Sequence, residues 1–102
     1  MPSKEYRIRL DQQNYIVVEV VMVKGNVVSF VVRLMAITGD DEINVARYDT
    51  SHGAAHRDMI GRKSGLLRKE WYPDIPMDVV LQNAINDLRL NYEVYRTQYE
   101  AN

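Results

Sequence analysis

Both histidines of the chain, His52 and His56, stand in one short run, Arg47-Tyr48-Asp49-Thr50-Ser51-His52-Gly53-Ala54-Ala55-His56-Arg57-Asp58. Histidine changes charge nearest to neutral pH, so a pair of imidazoles can take and give protons under working conditions. Arg47 and Arg57 bracket the pair with fixed positive charge, and Asp49 and Asp58 add carboxylates that can orient a ring or stabilise its charged form. Three chemistries fit this set. In a structural reading the arginines pair with the aspartates and the histidines cap backbone carbonyls, an ordinary use of polar residues at a strand end. In an acid–base reading one histidine is the base and the other the acid, while Arg47 or Arg57 stabilises an anionic phosphate. That set suits cleavage of an RNA phosphodiester, where the 2′-hydroxyl loses a proton and the 5′-oxygen gains one. In a metal reading His52, His56 and either Asp49 or Asp58 are ligands for zinc or iron. An H-x3-H spacing gains most from a helix, which Gly53 opposes, and the arginines oppose a cation. The leading expectation is therefore acid–base chemistry with no metal and no other cofactor.

The elements that must carry these residues can be read from periodicity. Tyr6 to Leu10 alternates apolar with basic residues, the period of a half-buried strand. Asp11 to Asn14 reads as a turn. Tyr15–Val23 and Val27–Ile37 are β-branched runs joined by Lys24-Gly25-Asn26, a hairpin signal. After a turn at Thr38 to Asp41, Glu42 to Thr50 predicts a strand with Arg47 and Asp49 on one face and Tyr48 and Thr50 on the other. The histidine run then reads as a loop, in which Gly53 permits a sharp turn. Arg62 to Gly65 is a polar turn and Leu66 to Tyr72 a short final strand. Pro73 and Pro76 break the sheet pattern, and Pro76 suits the start of a helix. From Met77 the period changes: Leu81, Ala84, Ile85, Leu88, Tyr92, Tyr95 and Tyr99 form one apolar stripe. A helix from Met77 to about Tyr99 is roughly 34 Å long, enough to cross a small sheet. The expected architecture is α+β: an antiparallel meander of about five strands with one long C-terminal helix packed on one face, a single domain over residues 1–102.

Composition bounds the rest. With 102 residues and a formal net charge of −1, the chain supports one core and shows no broad basic footprint of a nucleic-acid binder, though a local patch is compatible with it. The absence of cysteine excludes disulfides and thiolate zinc sites and fits a cytoplasmic protein. The N-terminus is polar with no apolar h-region, and Tyr15 to Ile37 is broken by a turn and carries Glu19 and Arg33, so no membrane association is expected. Valines fall on both faces of the two central strands, from Val17 to Val23 and Val27 to Val32, while one helix covers one face. A homodimer or a tight protein partner through this Val-rich sheet is the expectation. Trp71 beside Tyr72 reads as core or helix packing, and, if exposed, as a stacking surface for a base. Arg62-Lys63 and Arg68-Lys69 would form a phosphate-binding rim if they lie beside the histidine run, and Glu70 is a further carboxylate within reach.

The run Arg47-Tyr48-Asp49-Thr50-Ser51-His52-Gly53, followed by His56-Arg57-Asp58 and Lys69-Glu70-Trp71-Tyr72-Pro73, resembles a family of small uncharacterised prokaryotic proteins. Its R-Y-D-x-x-H core also resembles that of the TumE-type toxins of toxin–antitoxin pairs. The match covers residues 45–73. The resemblance implies a β-sheet domain with a histidine-bearing loop, acting as a ribonuclease-like toxin on RNA and neutralised by an antitoxin. It carries over to Arg47, Tyr48, Asp49 and His52, whereas His56, Arg57 and Asp58 enter by proximity.

Overall fold

The computed structural model describes residues 3–50, 54–72 and 75–102. Six strands form one antiparallel sheet in simple meander order: β1 (Ser3–Arg9), β2 (Asn14–Val23), β3 (Asn26–Thr38), β4 (Asp41–Asp49), β5 (His56–Gly61) and β6 (Gly65–Trp71). A single helix, α1 (Met77–Ala101), follows. A two-residue connection joins β2 to β3 through Lys24 and Gly25, both at positive φ (52° and 79°). Positive φ at both central residues is the requirement of a type I′ hairpin, whose twist matches that of the flanking strands.

The α+β meander with one covering helix is as expected, but the strand count is six rather than five. The additional strand is β5, which periodicity alone places in the histidine loop. Its residues His56-Arg57-Asp58-Met59 alternate, but between two polar faces, so no apolar face marks the period. Backbone pairing with β4 on one side and β6 on the other holds it in the sheet.

One face of the sheet is apolar. Ile16, Val18 and Val20 of β2 stand beside Leu34, Val32 and Phe30 of β3, with Ala46 and Tyr48 of β4 and Met59 of β5 continuing the surface. Helix α1 lies across it, nearest β3. Pro76 caps its start, its carbonyl accepting from Val79 N–H at 3.0 Å and Val80 N–H at 3.1 Å. The helix buries Val80, Ala84, Ile85, Leu88, Tyr95 and Tyr99, while Leu81 and Tyr92 of the predicted stripe are half-buried at its margin. Its C-terminal end is pinned to the β5–β6 turn. Tyr99 O accepts from Arg62 N–H at 3.0 Å, and Asn102 O accepts from Ser64 N–H at 2.9 Å. Gly61 sits so close that a Cβ there would lie 2.9 Å from the Asn102 backbone oxygen, which no real side chain tolerates. Among the described residues no helix is long and apolar enough to cross a membrane.

Leu88 is fully buried between helix and sheet. Leu88→Ala removes its side chain and leaves a cavity, so it should lower the unfolding free energy by about 2–5 kcal/mol in urea titration. A loss of less than about 1 kcal/mol would mean the helix does not pack as described.

Candidate functional site

Strand alternation sends Arg47 and Asp49 of β4, His56 and Asp58 of β5 and Lys69 of β6 to the face that α1 leaves uncovered. Arg47 pairs in register with Asp58, and Asp49 pairs with His56. On the next strand Asp58 faces Lys69, and His56 faces Trp71. Six side chains from three strands thus share one patch. Within it Asp49 Oδ1 lies 2.9 Å from His56 Nε2, and Asp58 Oδ2 lies 3.7 Å from the same atom. Arg47 bridges the two carboxylates, with Nη2 2.5 Å from Asp58 Oδ2 and Nε 3.2 Å from Asp49 Oδ2. Lys69 Nζ is 3.7 Å from Asp58 Oδ1. The His56 and Asp58 side chains are each only 1% exposed, whereas that of Arg47 is 38% and Trp71 as a whole 54% exposed. The patch has a dry floor of two carboxylates and an imidazole under a wet rim of Arg47, Lys69 and Trp71.

The imidazole is oriented from both ends. Nδ1 lies 3.3 Å from the Ala54 carbonyl oxygen, and the ring packs 4.9 Å from that of Trp71. Nε2 has the charge contact with Asp49 but lacks the alignment of a hydrogen bond, and no other partner among the described residues supplies one. Asp58 Oδ1 is also buried without a hydrogen bond. A buried polar atom without a directed partner is unusual in a folded protein and calls for an explanation, a bound water or ion among them.

The rest of this face extends the pattern. Following the register across the sheet, Arg7, Val17, Arg33, Arg47, Asp58 and Lys69 stand in one row. The row beside it reads Glu5, Glu19, Val31, Asp49, His56 and Trp71. A predominantly cationic row therefore runs beside one rich in acid. Arg33 and Arg47 are direct cross-strand partners, an apposition of like charge that destabilises a sheet unless compensated. Glu19 compensates Arg33 at 3.0 Å, and Asp49 and Asp58 compensate Arg47. A groove of about 440 Å³, lined among others by Glu5, Glu19, Ser29, Val31, Asp49 and Thr50, adjoins this row and ends at the cluster.

Of the predicted site residues, Arg47, Asp49, His56 and Asp58 come together. His52 lies outside the described residues, as does Gly53. Arg57 goes to the opposite face, because its neighbours in an alternating strand are His56 and Asp58. There it reaches Tyr95 Oη at 2.6 Å, stands 3.6 Å from Asp87 and pairs with Glu70. Glu70 therefore also leaves the histidine patch. Asp87 of α1 accepts hydrogen bonds from the hydroxyls of Tyr48, at 2.5 Å, and Tyr95. Tyr72 Oη donates to Tyr48 Oη at 3.1 Å. Burial works against the Arg57 charge, but the bond to Glu70 and the surrounding Tyr95, Tyr48 and Tyr72 together outweigh it and raise the guanidinium above its ordinary value. The same bond, given by Arg57, holds the Glu70 carboxyl below its usual range. Burial, then the bond to Asp87, pushes Tyr95 up to about 12 and raises Tyr48 as well. Lys69 and Trp71, which sequence reading placed near the histidine run only conditionally, are members of the patch, whereas Arg68 is not on its face. Their alternation with Arg68 and Glu70, matched to that of Arg47 and Asp49, was the signal that could have placed them once β5 lay between.

The chain belongs to the family described as Domain of unknown function (DUF7718), whose model matches residues 1–102. No curated protein and no solved structure matches it.

Two outcomes check this geometry. Asp58→Ala leaves the Arg47 and His56 ends of the cluster without their shared carboxylate and should cost about 3–5 kcal/mol of stability by urea titration, the price of breaking a buried charge pair. At high pH the phenols govern. A folded-state pKa raised above the ordinary 10.0 gives stability that is full below pH 10.0 and lost as pH rises through the folded value. Unfolding free energy should therefore fall between pH 10.0 and about 12, and Tyr95→Phe should flatten that fall.

Proposed function

We propose that this DUF7718 domain binds single-stranded RNA across its uncovered sheet face and cleaves it as a toxin-like ribonuclease. The observation that carries the reading is the row of Arg7, Arg33, Arg47 and Lys69 leading to an exposed tryptophan and a buried Asp49–His56–Asp58 cluster. A cationic track beside an aromatic platform is the combination that holds a single strand: the cations follow the phosphates, and the indole stacks on a base. Trp71 is exposed enough to stack, and Lys69 lies 5.6 Å from its ring centroid. The carboxylates of the neighbouring row can accept from base amino groups but would repel phosphates. His56, backed by Asp49, is the proton-transfer group of this reading. Arg47 has the reach and exposure to exchange Asp58 for a phosphate. The resemblance to the TumE-type toxins points the same way and adds an antitoxin as protein partner. A second copy of the chain through the Val-rich sheet is the other partner we propose; with the half-buried Val21 and Val31 at that contact it would occupy the same face and compete with RNA for it.

One observation favours a second reading. The His56 side chain is 1% exposed, so it reaches a substrate only if the rim opens. In that reading the cluster is a clamp between strands, and the face binds a partner without chemistry.

Induced expression with inspection of total RNA separates the two. Wild type should slow growth and shorten RNA, while His52→Ala and His56→Ala, shown folded by circular dichroism, should lose both effects. Binding is read separately with a labelled RNA oligonucleotide. Neutralisation of three or four phosphates by the track predicts a slope of log K against log salt of about −2 to −3. Arg7→Gln with Arg33→Gln should make that slope shallower by about 0.7 for each phosphate left without its cation. Binding without RNA breakdown would favour the non-catalytic module. Neither binding nor breakdown would overturn the RNA reading.

A further inference from the structure

We propose that Asp49, His56 and Asp58 form a binding site for one divalent transition-metal ion, of the class that mixed carboxylate–imidazole sets take. One ligand atom from each residue can be chosen so that all lie within 4.8 Å of one another. Ligands bound at about 2.0–2.2 Å to a common ion stand roughly 3.0–3.6 Å apart, depending on the angle between them. The contacts of His56 Nε2 with Asp49 and Asp58, 2.9 Å and 3.7 Å, bracket that range.

A cluster of acids alone would not carry the assignment. The imidazole does. Its Nδ1 faces the Ala54 carbonyl at 3.3 Å, the contact suited to the tautomer that a metal on Nε2 requires. Nε2 is buried, lies 2.9 Å from Asp49 and 3.7 Å from Asp58, and has no hydrogen-bond partner among the described residues. In that tautomer electron-rich nitrogen beside carboxylate oxygen is repulsive until a cation sits between them. Asp58 Oδ1, also buried without a hydrogen bond, adds a second donor of the same kind.

Arg47 is the competitor. Its guanidinium bonds Asp58 Oδ2 through both Nε, at 3.2 Å, and Nη2, at 2.5 Å, supplying positive charge that an ion would otherwise bring. Lys69 stands 3.7 Å from Asp58 as a weaker rival. The arrangement yields a specific expectation: removing the Arg47 charge should tighten ion binding, because the carboxylates then have no internal cation to satisfy them. This inference goes beyond the RNA reading and does not depend on it, so its test contains no RNA.

The test titrates the folded, chelator-treated protein with Mn2+ alone, following free ion by electron paramagnetic resonance and stability by thermal melting. Wild type should take up one Mn2+ per chain with a rise in melting temperature, as binding to the folded state requires. Asp58→Asn keeps the shape of the side chain and should weaken uptake at least about tenfold, the scale of losing one anionic ligand. Arg47→Gln should strengthen uptake at least about fivefold, a change that a purely structural ion cluster would not produce. Absence of uptake by wild type at about 1 mM Mn2+ overturns the site, as does uptake unchanged in Asp58→Asn. If Asp58→Asn does not fold, Arg47→Gln decides alone: tighter binding supports the site, and equal or weaker binding refutes it.

Discussion

Asp58 is buried beneath a sheet face that no helix covers, and that constraint arranges the second half of the molecule. An isolated carboxylate so buried costs several kcal/mol, so cations must reach it from the strands on either side. Arg47 of β4 and Lys69 of β6 do so from the same register position. A slip of β5 by one residue would carry Asp58 and His56 through to the helix face and bring Arg57 to the open one. Arg57 would then face Arg47 and Lys69 with no carboxylate between them, and Asp87 would lose its cation. Charge pairing, rather than apolar alternation, sets the register of this short strand.

The two halves of the sheet are consequently held by different forces. β2 and β3 interlock chiefly through Ile16, Val18, Val32 and Leu34, all fully buried. β4, β5 and β6 carry polar networks on both faces at once: Arg47, Asp49, His56 and Asp58 above, and Arg57, Glu70, Tyr48 and Asp87 below. Buried polar networks are worth most when every member is satisfied. The lower one is nearly so, with Arg57 Nε as its loose end, whereas the upper one leaves Nε2 of the only buried imidazole described without a directed partner. The difference between the faces is a difference between a fastening and a site.

Much of the architecture was legible because apolar periodicity writes it plainly. The type I′ corner after Val23, the β-branched runs on either side and the stripe from Ala84 to Tyr99 each follow from side-chain chemistry over a few residues. β5 was not legible for the opposite reason. Its alternation runs His, Arg, Asp, with polar residues on both faces, and only the strands beside it in space show why that is tolerated. The site suffered the same loss. Adjacency in sequence grouped Arg57 with His56 and Asp58, but a strand separates immediate neighbours and joins alternate ones, so Arg57 left and Lys69 and Trp71 entered. His52, central to the sequence motif, lies outside the described residues, so its place relative to the cluster is a matter for the variants rather than the geometry.

The upper face also carries features that stability alone would not select. Arg33 faces Arg47, and Glu5 faces Glu19, two like-charge pairs on one surface, with Glu19 relieving Arg33 and Asp49 and Asp58 relieving Arg47. A buried ion cluster of this kind is often no more stabilising than well-packed apolar residues of the same volume. A sheet needing only to fold could place valine at these positions, as it does at Val17 and Val31 in the same two rows. Excess charge becomes advantageous when a ligand of opposite charge arrives and takes over the compensation. A phosphate can replace Asp58 as the partner of Arg47, and a metal ion can then replace Arg47 as the partner of Asp58. Each exchange makes the other easier, because the group released by one binding event is the competitor removed from the other. Were both proposed ligands to bind this face, they would be coupled through the single guanidinium of Arg47.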